Sequence, residues 1–185
     1  MIAAGGDPQS TSEYQRKSAA KYRAKLAANS TLYGKVKVGV FEPGNKYDFA
    51  SAESVDLVLT FRNIHNWMGT DDGQIVAAFK SVYEALKPNG VFGVVEHRLP
   101  EARPADPDSG YVHESYVIAM AEKAGFTLMA KSEINANPKD TADHKQGVWA
   151  LPPSFANKDE DREKYAAIGE SDRMTLRFVK PAAKK

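Results

Sequence analysis

A dense group of polar and aromatic side chains follows an apolar run near the middle of the chain. Residues 55–60 are mostly Val and Leu, which is typical of a strand buried on both faces. The group that follows the run comprises Arg62, Asn63, His65, Asn66 and Trp67. Because ligands of open α/β sheets bind beyond the carboxyl ends of the strands, this segment predicts a binding or catalytic crevice. An imidazole such as that of His65 is suited to removing a proton near neutral pH.

The same pattern occurs a second time, at the end of residues 91–95. This apolar run predicts another buried strand, and it leads into Glu96, His97 and Arg98. Two such groups at the ends of adjacent parallel strands face one crevice, where His97 would be a second base or a substrate contact and Arg98 a substrate contact. The alternative is structural: an ion pair of Glu96 with Arg98 or Arg62 would hold the two loops together.

Structural roles are open for the other side chains of the first group as well. His65 could bond to neighbouring loops and pack beneath Trp67. Arg62 and Asn63 could orient a substrate, or they could bind backbone carbonyls. Trp67, like Trp149, could stack on a substrate or anchor a loop.

Two later segments could reach the same crevice. Asn135, Asn137 and Lys139 follow a predicted strand and could form a pocket wall. However, Asn-Ala-Asn-Pro is also an ordinary turn sequence, and we favour the turn. Residues 170–173, with Glu170, Ser171, Asp172 and Arg173, precede the last predicted strand. There a turn with paired charges is the favoured interpretation.

Several chemistries are disfavoured by the residue types and their spacing. The 4 histidines lack the close spacing of metal ligands, so we predict no metal site. No Gly-x-Ser-x-Gly sequence is present, which disfavours a serine hydrolase of the elbow type. The absence of cysteine excludes disulfides, thiolate metal sites and a cysteine nucleophile.

The composition is that of an ordinary globular protein. The 185 residues suffice for a single domain with a sizeable core, and the shares of 42% hydrophobic and 26% charged residues are unremarkable. A net charge of +1 gives no reason to expect nucleic acid or a membrane as partner. With neither a long apolar run nor a signal sequence, the default expectation is a cytoplasmic protein. We expect disorder over residues 1–10 and 181–185.

Helices and strands alternate along the rest of the chain. We predict helices over about residues 12–29, 72–86, 112–124 and 159–168, and strands over 36–41, 55–60, 91–95, 126–134 and 174–179. Residues 87–90, Lys-Pro-Asn-Gly, supply a helix stop. This order predicts an α/β protein with parallel buried strands and an antiparallel final strand.

This succession resembles the second half of a class I S-adenosylmethionine-dependent methyltransferase. The strongest single piece, residues 85–92, is similar to the helix-to-strand turn before the fifth strand of that fold. Four longer blocks are similar to a narrower group of bacterial proteins described as predicted methyltransferases of unspecified substrate. They are residues 56–67, 93–98, 132–140 and 168–175.

The resemblance implies a three-layer, Rossmann-like α/β fold and methyl transfer from S-adenosylmethionine to a small-molecule acceptor. It places His65, Asn66, Glu96 and His97 on the acceptor side, and it gives contacts to the cofactor around Phe41, Glu42, Thr60 and Phe61.

One part of the resemblance is missing. Enzymes of this class begin with a strand and a Gly-rich turn beside the cofactor, followed by a second strand that ends in an acid. Nothing before Val36 is predicted to be a strand, and Gly5 and Gly6 follow none. We therefore expect the first two strands to be absent, as in an N-terminally truncated fold, and we expect weak cofactor binding. The alternative function is that of a non-catalytic binding protein that kept the scaffold.

The missing strands also bear on assembly. In the full fold the first strand flanks the fourth, which here corresponds to residues 55–60. That edge would be apolar and unpaired, and natural proteins cover such edges. We expect either that residues 36–41 pair with it or that two chains form a homodimer across it. We expect the helix at 12–29 to cover apolar surface left bare.

Overall fold

The computed structural model describes residues 1–182, so the disorder expected at residues 183–185 lies outside the described residues. The strands are β1 (Ile2–Gly5), β2 (Lys37–Glu42), β3 (Lys46–Asp48), β4 (Val55–Phe61), β5 (Leu86–Leu99), β6 (Val112–His113), β7 (Thr127–Ser132) and β8 (Arg173–Val179). The α-helices are α1 (Glu13–Ala27), α2 (Ser30–Tyr33), α3 (Ile64–Trp67), α4 (Asp72–Ala85), α5 (Glu114–Lys123) and α6 (Arg162–Ile168). The predicted α/β class is confirmed.

The larger sheet carries the core of the molecule. Its strand order is β4-β5-β8-β7, and β6 pairs with the end of β5. β4 is parallel to β5, whereas β8 is antiparallel to both β5 and β7, which confirms the predicted antiparallel final strand. Phe92 and Phe178 are fully buried among residues of α4 and α5. Burying a side chain of this kind contributes roughly 1.5–3 kcal/mol to stability.

Helix α4 sets the position of β5. Apolar residues at a helical period face the core, namely Ile75, Phe79 and Val82. The helix ends at Ala85, and residues 87–90 lead directly into the paired part of β5, which confirms the predicted helix stop. Within this turn Asn89 has a φ of 63°, a left-handed conformation that Asn tolerates better than most residues. Its N–H donates to the carbonyl of Lys180, which joins the turn to the end of β8.

A second, smaller sheet has the order β1-β2-β3. β1 runs parallel to β2 and is connected to it through α1 and α2, and β3 returns antiparallel. The prediction that no strand precedes Val36 is therefore wrong. The local pattern did not reveal β1 because its partner lies about one helical crossover further along the chain. The order of residues 2–5 also departs from the disorder expected over residues 1–10.

The corner between β1 and α1 is fixed by Glu42 at the end of β2. Its buried carboxylate accepts hydrogen bonds from the N–H of Asp7, at 2.8 Å, and from the hydroxyl of Ser10, at 2.6 Å. Gly6 lies in this corner, where a Cβ would come within 2.2 Å of the Gln15 side chain. A side chain at this position would displace the end of the Gln15 side chain.

Helix α1 itself contributes little to the core. Ala19 is its one buried residue, so the expectation that this helix covers bare apolar surface is wrong. Within residues 1–182, no helix combines the length and the apolar character needed to span a membrane.

The outer edge of β4 has no strand partner among residues 1–182. The predicted pairing of residues 36–41 with this edge is wrong, because β2 lies between β1 and β3. Leu57 and Leu59 of β4 remain 53% exposed each, so the prediction that this strand is buried on both faces is wrong. Residues of β1 and β4 both line a cavity of about 520 Å³, here called the inter-sheet cavity.

Candidate active site

Glu96 lies at the centre of the site, at the carboxyl end of β5. Its side chain is fully buried. One carboxylate oxygen accepts the N–H of Ile64 at the start of α3. The other lies 2.8 Å from the N–H of His97 and 3.0 Å from Nδ1 of His65. The prediction that the two polar groups share one crevice is confirmed.

Glu96 orients the ring of His65. A carboxylate only accepts hydrogen bonds, so the bond assigns the proton of the neutral imidazole to Nδ1 and leaves a lone pair on Nε2. Nε2 lies 3.0 Å from the side-chain nitrogen of Asn66, which can donate to it. A carboxylate in this position fixes the tautomer and stabilises the imidazolium that forms when Nε2 accepts a proton. The arrangement suits a general base once an acceptor displaces the Asn66 amide from Nε2.

His97 is a second imidazole at the same point. It is 9% exposed, its ring centroid lies 5.5 Å from that of His65, and its Nδ1 is bonded to the hydroxyl of Ser171. Burial and, after it, repulsion by the protonated form of His65 and by the charges of Arg173 and Arg62 together lower the pKa of His97 to about 3. His97 is therefore neutral at pH 7 and suited to hydrogen bonding rather than to charge pairing.

These residues open on a cavity of about 320 Å³, here called the polar cavity. Its apolar wall is formed by Phe61, Val148, Trp149, Pro152 and Pro153. Its polar lining consists of Arg62, Asn63, His65, Asn66, His97, Ser154, Glu170, Ser171 and Arg173. The volume is at the lower end of the range for small-molecule sites.

The inter-sheet cavity adjoins the polar cavity at Asn63, which lines both. Aromatic side chains predominate near this junction, with the rings of Phe41 and Trp67 4.8 Å apart. Thr60, predicted to contact a cofactor, lines the inter-sheet cavity together with Phe41, whereas Phe61 lines the polar cavity.

The remaining predicted cofactor contact, Glu42, lines neither cavity. Its carboxylate instead holds the corner after β1, and the side chain is 8% exposed. The hydrogen bonds from Asp7, Ser10 and Asn45 keep the pKa of Glu42 below its usual range despite burial, which by itself raises it.

Four predicted substrate contacts lie outside the polar cavity. They are Trp67, which lines the inter-sheet cavity instead, and Arg98, Asn135 and Asn137. The guanidinium of Arg98 binds Asp172 at 2.9 Å and Glu133 at 2.7 Å. These carboxylates raise the pKa of Arg98. The alternative of an ion pair between Glu96 and Arg98 is therefore wrong, because Arg98 pairs with other carboxylates and Glu96 bonds to His65.

Asn135 and Asn137 anchor loops rather than line the cavity. The side chain of Asn135 donates to the hydroxyl of Thr175, at 2.8 Å. The side chain of Asn137 donates to the carbonyls of Ile168 and Glu170. The turn that we favoured for this segment fits these contacts.

The segment at residues 170–173 reaches the cavity, and its charges pair as expected. Arg173 forms an ion pair with Glu170, and both line the polar cavity beside Ser171. Ser171 thus fits both interpretations of this segment, because it lies in the charge-paired turn and also lines the cavity, where its hydroxyl bonds to His97.

The sequence analysis missed a buried network behind this turn. The carboxylate of Asp140 accepts hydrogen bonds from the hydroxyl of Tyr111, the ring of His144 and the N–H of Asp172. Burial and the charge of Asp140 raise the pKa of Tyr111. No sequence signal indicates this network, because it joins loops about 30 residues apart.

The centre of the site also contains a group of potential metal ligands. Potential ligand atoms of His65, Glu96 and His97 lie within 4.8 Å of one another. However, both Glu96 oxygens already accept hydrogen bonds, and the positive charges of the nearby Arg62 and Arg173 oppose the binding of a metal cation. These contacts fit a hydrogen-bonded carboxylate–histidine pair better than a metal centre.

Comparison with protein-family models gives no match, and comparison with curated proteins gives none either. Comparison with solved structures gives matches over nearly the whole chain. The 4+2 cyclase SpnF is 17% identical with a TM-score of 0.61, over 98% of this chain and 66% of the cyclase.

Two matched structures are methyltransferases by description. A candidate sarcosine dimethylglycine methyltransferase from Galdieria sulphuraria is 15% identical, with a TM-score of 0.57 over 97% of this chain and 69% of that one. An S-adenosylmethionine-dependent methyltransferase from Aquifex aeolicus is 13% identical, with a TM-score of 0.53 over 97% of this chain and 68% of that one. The chain thus has the class I methyltransferase fold and spans about two thirds of the length of these three proteins.

Proposed function

We propose that this protein is an S-adenosylmethionine-dependent methyltransferase of a small-molecule acceptor, with His65 as general base. The observation that carries the proposal is the bond from the buried carboxylate of Glu96 to His65, which lines the polar cavity. A carboxylate that orients an imidazole in this way is a common device for proton removal. The fold supports methyl transfer as the reaction that needs the base.

The inter-sheet cavity is the candidate site for the cofactor. Its volume of about 520 Å³ lies within the usual range for ligand sites. Phe41, Phe49 and Trp67 offer ring faces for an adenine, and Thr60 and Asn63 offer polar atoms at the side that meets the polar cavity. The residues present therefore fit the adenosine part of the molecule.

The first strand of the class I fold, which is part of a full cofactor site, has no counterpart within residues 1–182. β1 takes the place that the resemblance gives to the second strand, since it runs parallel to β2 and precedes it through α1. Of the two strands expected to be absent, only the first is therefore missing from the described chain. The inter-sheet cavity lies beside β4, the strand that the first one flanks. We propose that affinity for the cofactor is reduced accordingly.

When bound, S-adenosylmethionine supplies an electrophilic methyl group on a sulfonium. The residues of the chain act on the acceptor. Nε2 of His65 accepts the proton that the acceptor nucleophile loses, and the Glu96 carboxylate stabilises the resulting imidazolium. Asn66 is in place to orient the acceptor, and neutral His97 can hold a polar group of the acceptor without competing for its proton.

Calorimetry with S-adenosylmethionine tests the cofactor site. We expect heat of binding at micromolar to millimolar ligand. The substitution Trp67→Ala removes a wall of the inter-sheet cavity and should weaken binding, whereas Trp149→Ala, in the polar cavity, should leave it unchanged. A complete absence of binding heat would contradict the proposal. It would favour the alternative, a non-catalytic binding protein on the same scaffold.

A further inference from the structure

We propose that the acceptor carries an oxyanion, a carboxylate or a phosphate, and that Arg62 binds it. This inference rests on the proposed function, since it identifies the class of molecule that the polar cavity takes as acceptor. Its evidence is separate: the pairing, backbone conformation and surroundings of Arg62.

Arg62 is an arginine without a protein partner at the polar cavity. Arg62 is exposed and lines the cavity, and within residues 1–182 its guanidinium forms neither an ion pair nor a hydrogen bond. The other arginine of the cavity, Arg173, is paired with Glu170. A guanidinium presents a planar fork of donors that matches carboxylate and phosphate oxygens. The unpaired fork therefore indicates an anionic ligand group.

The backbone of Arg62 is held in an unfavourable conformation. Its φ is 57°, in the left-handed region, where an arginine costs on the order of 1 kcal/mol. The N–H of Arg62 donates to the carbonyl of Val95 at 2.7 Å, which ties this residue to the end of β5 beside Glu96. The left-handed conformation of Arg62 turns the chain at the end of β4, and Arg62 and His65 both line the polar cavity.

The rest of the polar cavity favours a negative ligand group as well. Ser154 and Asn66 are neutral donors on its lining. The carboxylate of Glu170 is neutralised by Arg173. The carboxylate of Glu96 is fully buried beneath the cavity and bonded to three donors, so it does not meet the ligand.

The size and the apolar wall of the polar cavity also limit the size and polarity of the rest of the acceptor molecule. Phe61 is 55% exposed and Trp149 is 39% exposed, and both contribute apolar surface to the wall. A volume of about 320 Å³ suits a molecule of one ring and short substituents rather than a polymer. These features together describe a small, partly apolar acid.

Binding of three related probes tests the inference without the cofactor. Benzoate, phenyl phosphate and the neutral benzamide are titrated into the full chain, and NMR follows the indole N–H of Trp149 and the Nε–H of Arg62. We expect both anions to bind at least about tenfold more tightly than benzamide. The variant Arg62→Gln should lose this preference, and Arg62→Lys should keep part of it. Arg177→Gln, which removes an exposed arginine of β8, should keep all of it.

Benzamide binding as tightly as the anions, an undiminished preference in Arg62→Gln, or no response to any probe would each overturn the inference. These outcomes are distinct from failure of the proposed function. Anion binding at Arg62 without cofactor binding would contradict methyl transfer alone, whereas methylation of neutral acceptors only would contradict the role of Arg62 alone.

Discussion

Glu96 connects the chemistry of the site to its architecture. The same carboxylate fixes the start of α3 through Ile64 and the ring of His65. A buried carboxylate that accepts three hydrogen bonds is stable. Replacing it with a neutral group leaves some of the three donors without an acceptor. Glu96 therefore determines the conformation of the loop after β4 as well as the direction of the base.

The substitution Glu96→Gln tests this dual role. An amide cannot accept from all three donors or stabilise an imidazolium, so methyl transfer should fall about 100-fold or more. The free energy of unfolding should fall by roughly 1–3 kcal/mol. Turnover and urea denaturation measure the two effects. Glu122→Gln, on the exposed face of α5, is the matched control and should change neither. Unchanged turnover in Glu96→Gln would refute the role of this carboxylate.

The lowered pKa of His97 predicts that the stability of the fold depends on pH. Its pKa is 6.5 in the unfolded chain and about 3 in the fold. Between these values the unfolded state binds more protons, so stability is fully present above pH 6.5 and declines as the pH falls. From pH 7 to pH 5 this group should remove roughly 2 kcal/mol.

Urea denaturation of the native chain and of His97→Gln at these two pH values measures the difference. The variant should lose roughly 2 kcal/mol less than the native chain over this interval. Equal losses would mean that His97 accepts a proton within the fold.

At the scale of elements, sequence patterns predicted β4, α4 and β5, although Leu57 and Leu59 of β4 are exposed rather than buried. β4, α4 and β5 follow each other with short connections, and their periodicity is local, so the position of His65 and Glu96 could be inferred. β1 could not, because four residues carry too little pattern and the strand depends on pairing with β2. The contacts of Asp140 and Arg98 could not be predicted either, because loop packing determines the partners of these residues.

Asp140 provides a test of these loops. Its carboxylate is 7% exposed and joins Tyr111, His144 and Asp172. Asp140→Ala should lower the free energy of unfolding by about 3 kcal/mol, since it leaves several buried donors without an acceptor. Asp143→Ala, in the same loop but half exposed, removes only surface contacts and should cost less than about 1 kcal/mol. Thermal or urea denaturation distinguishes them, and similar losses would refute the central place of Asp140.

At the scale of the whole molecule, the free edge of β4 bears on assembly. Its unpaired backbone groups and the exposed side chains of Leu57 and Leu59 form a surface that another strand can extend. With pairing by β2 excluded, dimerisation across this edge is the remaining arrangement of the two that we predicted. We expect a homodimer by light scattering, and Leu59→Lys should shift it to monomer. A monomeric native chain would contradict the prediction.

The separation of the two sheets has a consequence for the motions of the protein. No β-ladder joins β1 to β4, so the amino-terminal sheet and α1 can detach without breaking the hydrogen bonds of β5 and β8. Amide protons of β1 and β2 should then exchange with deuterium through a local opening, orders of magnitude faster than those of β5. Such an opening would give a bulky nucleoside a route of entry while the acid–base pair stays assembled.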